Sequence, residues 1–399
     1  MGKIRLGILA AFALLSAGSH AAAEQADVTG QPQNPTVLDA ATAADALAEP
    51  QKAVASYGAP AGTCEPDNET RAPKGGVFTA LVENDAFDLA ARLGTGATTD
   101  RYFTHGTLFS FVSKCEPLPE IEGLERIVAF LADEEREARW GLSIGQNIYT
   151  PEDLTATDPS PNDRPYAGWA YIAPSVVVYT PNSVSVLELQ VGLVGPSAAA
   201  DWVQGNWHDA IRIARAQGWT HQLKDEVGFV LFGERRWVSN PIPIIRLPGA
   251  ESNVIEADLT GRAALALGTV QMSAAGGVDV RIGQGLGTDY GPPRIRPSLA
   301  GASFFNRPAK QFTWYLFAGV EVRAVARDIF LDGNTWVDSP SIGKRNLVVE
   351  AQGGAAVVLF RRVRIVYSHV VRSEEFRDQD NPSHFGSISV SVVFGRDPH

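Results

Sequence analysis

Beyond its first 23 residues the chain has no run approaching the roughly 18 apolar residues that a membrane-spanning helix requires. Any insertion into a bilayer must therefore take another route. Positive charge is also short, with 34 Lys and Arg against 45 Asp and Glu and a formal net charge of -11. That balance excludes a nucleic-acid surface, whose affinity rests on Lys and Arg meeting phosphates. A protein this acidic would meet an anionic partner through a divalent cation. No H-E-x-x-H zinc motif occurs, and no serine is read as lying at a nucleophile elbow of the G-x-S-x-G type. Cysteine is nearly absent, with only Cys64 and Cys115.

The start, MGKIRLGILAAFALLSAGSHAAAEQ, combines Lys3 and Arg5, an apolar stretch from Ile8 to Leu15 and small residues from Ala21 to Ala23. This is the pattern of a secretory signal peptide over residues 1–23, cleaved near Ala23. The apolar stretch is too short for a spanning anchor. An exported chain meets an oxidising compartment, where Cys64 and Cys115 can bridge. Residues 24–73, rich in Ala, Pro, Thr and Gln without sustained periodicity, read as a mobile periplasmic extension. Residues 74–399 have the texture of strands.

Alternation with period two is clean in several segments. Leu187, Leu189, Val191 and Leu193 share one face opposite Glu188 and Gln190; Phe312, Trp314, Leu316, Val320 and Val322 oppose Glu321 and Arg323. A soluble sandwich alternates in the same way. Strand lengths near those needed to cross a bilayer at a tilt, polar faces carrying opposite charges, and Trp and Tyr near strand ends favour an all-β fold, a transmembrane antiparallel β-barrel. About twelve strands are predicted, near 76–87, 100–113, 138–147, 165–180, 184–195, 226–238, 252–268, 270–284, 312–327, 345–359, 361–372 and 384–394. With both termini periplasmic, a helix in Asp201–Glu226 falls in an extracellular loop. The inserts 116–137, with a helix around 121–136, and 285–311 fall on the periplasmic side.

Polar groups that a barrel wall does not need gather at the outer ends of the first two strands: Asn84 and Asp85 in VENDAFD, and Thr104 in TDRYFTHG. Ordinary turn formation would also account for them. If Phe78, Ala80 and Val82 face lipid, so does Asn84, while Asp85 faces the lumen unless the strand ends or bulges there. In the loop helix, Gln204 and His208 at i and i+4 share a face, and Trp202, Ala210, Ile211 and Ile213 are expected to supply an apolar side against the barrel. Histidine is the commonest general base, and His105 and His221 are rivals on position. Water activated by histidine, with a cation holding the oxyanion, is an economical route to ester hydrolysis. Asp85, carbonyls of the first loop and Glu226 are hard oxygen ligands of the kind calcium takes.

VENDAF, TDRYFTHG, GLSIGQNIYTPEDL, DRPYAGWAY, LQVGLVGPSA, the Gln204-x-x-x-His208 helix, GWTHQLKDE, FLDGNTW and RSEEF occur in order from about Gly76 to Phe394. Together they resemble the lipid A deacylase family, LpxR type, of Gram-negative outer membranes. The resemblance implies a twelve-stranded barrel with its site between the outer wall and a loop helix. It implies calcium-dependent removal of the 3'-linked acyloxyacyl group of lipid A in the outer-membrane bilayer, and the separate expectation is a monomer whose site faces the cell exterior. His208 matches the base, and Asn84, Asp85, Thr104 and Gln204 match the accompanying residues, with Glu226 carried over as a metal ligand. The rival readings are a non-enzymatic barrel, a pore or structural protein whose loop helix plugs the lumen, and a phospholipase acting on glycerophospholipids.

Overall fold

The computed structural model describes residues 75–87, 102–114, 124–131, 137–246, 254–292, 308 and 310–394. The expected signal peptide, the extension, the carbonyls of loop 88–101 and the pairing of Cys64 with Cys115 lie outside the described residues. The strands are β1 (Gly76–Asn84), β2 (Tyr102–Val112), β3 (Glu137–Thr150), β4 (Ala167–Tyr179), β5 (Ser183–Val194), β6 (Glu226–Val238), β7 (Ile242–Arg246), β8 (Val254–Gly268), β9 (Gln271–Gly283), β10 (Phe312–Asp328), β11 (Leu347–Leu359), β12 (Val363–Arg372) and β13 (Ser383–Phe394). Neighbouring strands pair antiparallel, β1 pairs with β13, and β6 pairs with β8 past the short β7. Twelve strands therefore close into a barrel with no free edge.

β7 lies outside the expected set. It pairs with β8 only at Val254–Ala257, beyond the stretch Thr260–Gly268 that β6 occupies. All five of its residues are exposed. Pro243 removes a ladder donor, which confines such a segment to an edge and hides its alternation.

The two faces of the wall are reversed relative to a soluble sandwich. Phe109, Ile144, Ile172, Leu316 and Val320 point outward, with Ile144 57% exposed. Charged side chains point inward and are buried. Arg262 lies between Asp279 (2.7 Å) and Glu321 (2.7 Å), and Arg323 reaches Glu350 at 2.6 Å, to which Arg372 also binds at 2.7 Å. Water outside would make this arrangement untenable; lipid outside makes it the stable one. The spacing G-x-S-x-G does occur, at Gly141–Gly145, but Ser143 lies mid-strand, buried on the inward face, and not at a strand-to-helix turn.

Both ends of the lumen are filled. At the upper end, where β1 finishes, a short helix α3 (Ile329–Asp332) inserts Phe330 against Tyr149, with ring centroids 4.1 Å apart. At the lower end, residues 286–292 fold back into the mouth. Asp289 pairs there with Arg281 and Arg364, Tyr290 donates to the Thr180 carbonyl (2.7 Å), and Arg236 donates to the Pro292 carbonyl (2.9 Å). The expected periplasmic helix appears as α1 (Leu124–Leu131), and its terminal carbonyl accepts from the inward-facing Ser185 at 3.0 Å.

Candidate active site

The loop between β5 and β6 carries α2 (Ala200–Ile211). It lies on the outer wall and does not plug the lumen. On β3, Gln146 continues the lipid-facing row of Leu142 and Ile144, and its Nε2 donates to the Ala198 carbonyl at 2.6 Å. On β4, Gly168 faces the same way, so close to the helix start that a Cβ there would sit 2.6 Å from the Ala200 Cβ. Only glycine permits that approach.

Ala200, Gln204 and His208, spaced by four, form the stripe turned to the wall, and all three are buried. The expectation that Trp202, Ala210 and Ile213 would pack on the barrel is reversed. Trp202 is 67% exposed, and Trp207, Ala210 and Ile213 are exposed with it. The side chain of Ile211 lies outside the described residues. The reason is the medium: a helix laid against the lipid side of a barrel turns its apolar residues toward acyl chains and keeps its polar pair dry.

That polar pair is held by specific contacts. Arg212, in the left-handed region at φ 61°, ends α2 and turns the chain back, and the Ile213 N–H bonds the His208 carbonyl at 3.0 Å. The reversal brings the Ala214 carbonyl to within 2.6 Å of His208 Nδ1. A carbonyl only accepts, so Nδ1 carries the proton and Nε2 is the lone-pair nitrogen. An Asp209–Arg215 ion pair closes the turn. Gln204 Oε1 accepts from Trp219 Nε1 at 2.8 Å, and its buried Nε2 has no hydrogen-bond partner among the described residues. Trp219 packs on Tyr166 with centroids 4.8 Å apart, and the Gln217 N–H bonds the Leu154 carbonyl at 2.9 Å, pinning this loop to the one before it.

Across from the helix, the β2–β3 register slips between Phe103 and His105. This bulge inserts Thr104 and re-aims it. Phe103 joins the inner aromatic cluster, whereas Thr104 reaches Thr150 Oγ1 at 2.6 Å and His105 faces outward. Asn84, opposite His105 on β1, donates from Nδ2 to the Thr104 carbonyl (3.0 Å) and lies 3.2 Å from His105 Nδ1. Asn84 thus faces outward as the alternation predicts. Asp85 does not continue to the lumen, because the strand ends at Asn84 and a 3-10 turn, Asp85–Phe87, folds over the outer face of β13. The Phe87 carbonyl accepts there from Tyr367 Oη at 3.1 Å. Thr104, His105 and Ile148 from the wall and Gln204 from α2 line one cavity of about 290 Å³.

Glu226 stands apart from this group. It begins β6, five strand spacings of roughly 4.8 Å around the wall from β1. Its Oε2 accepts from the Thr335 N–H (2.8 Å) and from Asn334 Nδ2 (3.1 Å), which ties the loop after α3 to the base of the α2 loop. Asp85 and Glu226 are therefore not brought together as ligands of one ion. His221 is also apart, half exposed and 3.9 Å from Asp158.

Residues 46–394 match the profile of the family described as outer membrane protein LpxR. The chain belongs to the LpxR family. Among solved structures it is similar to LpxR from Salmonella typhimurium, at 19% identity and a TM-score of 0.62 over 80% of this chain and all of that one. It is also similar to the β domain of the Bordetella autotransporter BrkA, at 10% identity and a TM-score of 0.35, covering 80% and 99%. No match is found among curated protein sequences.

Asn84 and Asp85 carry side-chain oxygens of the kind calcium takes at this LpxR-family site. Asn84 donates its amide N–H to the Thr104 carbonyl, and it and the next residue, Asp85, are both buried. Hard oxygens suit calcium, with carbonyls and water completing its six to eight ligands. Among the described residues no group of three or more His, Cys, Asp or Glu is placed to hold a metal. Sequence reasoning missed the Ala214 carbonyl, Gly168 and the Thr104 bulge. Trp219 lay inside a quoted motif, GWTHQLKDE, and only its role was unread.

Proposed function

We propose that this outer-membrane protein is an esterase that hydrolyses the 3'-linked acyloxyacyl group of lipid A, acting as a monomer with the upper barrel end facing the cell exterior. The observation that carries this reading is the position of α2. Its Gln204 and His208 stripe faces the lipid side of the wall, and Gln204 shares a cavity with Thr104. A lipid whose chains remain in the outer leaflet can reach such a cleft sideways.

His208 Nε2 takes a proton from water as the water oxygen bonds to the ester carbonyl carbon. The same proton passes to the 3'-oxygen of the sugar as the carbon–oxygen bond breaks, which returns the imidazole to its neutral form. The Ala214 carbonyl holds the ring in the tautomer this requires. Gln204 Nε2, oriented by the bond from Trp219 to its Oε1, donates to the oxygen on which charge develops. Thr104 lines the cleft, Asn84 braces it through its bond to the Thr104 carbonyl, and Asn84 and Asp85 would hold calcium. Calcium, when bound, supplies positive charge that polarises the acyl carbonyl.

The test is His208→Ala, expressed in cells of known lipid A composition and read by mass spectrometry of the lipid. The barrel should still fold, seen as heat-modifiable mobility, and 3'-deacylation should fall by about 10²–10⁴-fold. Chelation of calcium should silence the unmodified protein. Retention of full activity in the folded variant overturns the assignment.

A further inference from the structure

The cavity that Thr104 shares with Gln204 lies between the wall and α2. With His105 and Asn206, these two residues form its polar lining, and the rest is Ile148, Trp202, Val203, Trp207 and Ala210. The exposed surface of the cavity is almost all apolar, so a sugar ring would lose hydrogen bonds there and a hydrocarbon would lose nothing. Trp202 and Trp207 are exposed on the lipid side, 67% and 43%. Ile148, in the cavity wall, lies on the same outward-facing row of β3 as Ile144, which is exposed on the lipid side. A chain can therefore enter from the leaflet without crossing water.

We infer that this cavity holds the acyl chain adjoining the scissile ester, and that Trp207 and Ala210 set the chain length the protein prefers. The inference rests on the esterase reading and extends it to the choice of substrate. At about 290 Å³ the cavity lies at the small end of ligand pockets, so it takes a limited length of hydrocarbon. Each methylene that still fits is worth about fourfold in relative rate, and one that does not fit contributes nothing.

The experiment offers the folded protein a mixture of lipid A species differing only in the length of the 3'-chain and follows all products together by mass spectrometry. Ala210→Phe fills the cavity and should move the preferred length downward; Trp207→Ala opens it and should move the preference upward or flatten it. A length profile unchanged in both variants overturns the inference while leaving the esterase reading intact. If the unmodified protein leaves lipid A untouched, the esterase reading fails and the cavity is judged by binding. A terminally brominated fatty acid should then quench tryptophan fluorescence saturably in proteoliposomes, and Ala210→Phe should remove the saturable part. Equal quenching in the two proteins overturns the inference.

Discussion

Gly168→Ala tests the placement of the loop helix with a single methyl group. The new Cβ would lie 2.6 Å from the Ala200 Cβ and 3.0 Å from the Ala198 Cβ. Carbon atoms rest at about 3.5–4.0 Å, so the shortfall is about 1 Å. Both obstructing atoms are Cβ atoms fixed to their backbone, and neither can rotate away. The start of α2 must lift from the wall, carrying Gln204 and His208 with it. Overpacking of this kind costs about 1–3 kcal/mol. It falls on the helix contact, leaving the strand ladder β3–β4–β5 in place, so heat-modifiable mobility should persist. A displacement of about 1 Å at a reacting group can cost 10²-fold in rate. The initial rate of lipid A deacylation should drop accordingly, and Gly168→Val should drop it further. Adding Ala200→Gly removes the nearer obstruction and should recover part of the loss, at a helix-propensity cost of about 1 kcal/mol or less. A wild-type rate in Gly168→Ala would refute the claim that the helix works from its seat on Gly168.

Two other substitutions separate scaffold from site. Glu226→Ala removes the acceptor for Thr335 and Asn334 and should destabilise the loop tether by about 1.5–3 kcal/mol, seen as a lower melting temperature, without changing the calcium concentration that gives half-maximal activity. A tenfold rise in that concentration would return Glu226 to the metal site. Arg262→Met leaves Asp279 buried without its cation and Glu321 with Arg323 alone (3.2 Å), and should cost about 3–5 kcal/mol in denaturant unfolding. No measurable change would mean that the lumen is wet enough to solvate both carboxylates.

Much of the architecture was legible because a barrel strand repeats every two residues. The face of Leu189 and Val191 and the face of Glu188 and Gln190 can be separated from sequence, and opposite charges such as Glu321 and Arg323 on one face already point to a closed polar interior. β7 escaped because Pro243 breaks both the alternation and the ladder. In the site, the helical period correctly put Gln204 and His208 on one face. The Thr104 bulge was invisible, since it is a property of the β2–β3 register and leaves no mark on composition. Position around the wall is hidden for a related reason: a motif records order along the chain, whereas the sheet sets Glu226 on β6, five strands from β1.

The helix face illustrates the deeper difficulty. Periodicity tells which residues of α2 lie together, but the direction in which that face points depends on what surrounds the protein. In water, Trp202, Trp207 and Ile213 would be driven onto the barrel and His208 outward. In lipid the free energy changes sign: the tryptophans gain by meeting acyl chains, and an exposed imidazole or amide would lose its hydrogen bonds. The polar stripe is therefore buried against the wall, where Ala214 satisfies one side of His208 and Trp219 one side of Gln204. Lipid surroundings thus aim the pair at the wall, and the two bonds fix how the imidazole and the amide are turned. It follows that a charged residue in place of Trp202 or Trp207 should loosen α2 from its seat even though neither side chain touches His208 in the hydrogen-bonding sense, whereas leucine at either position should leave the seat undisturbed.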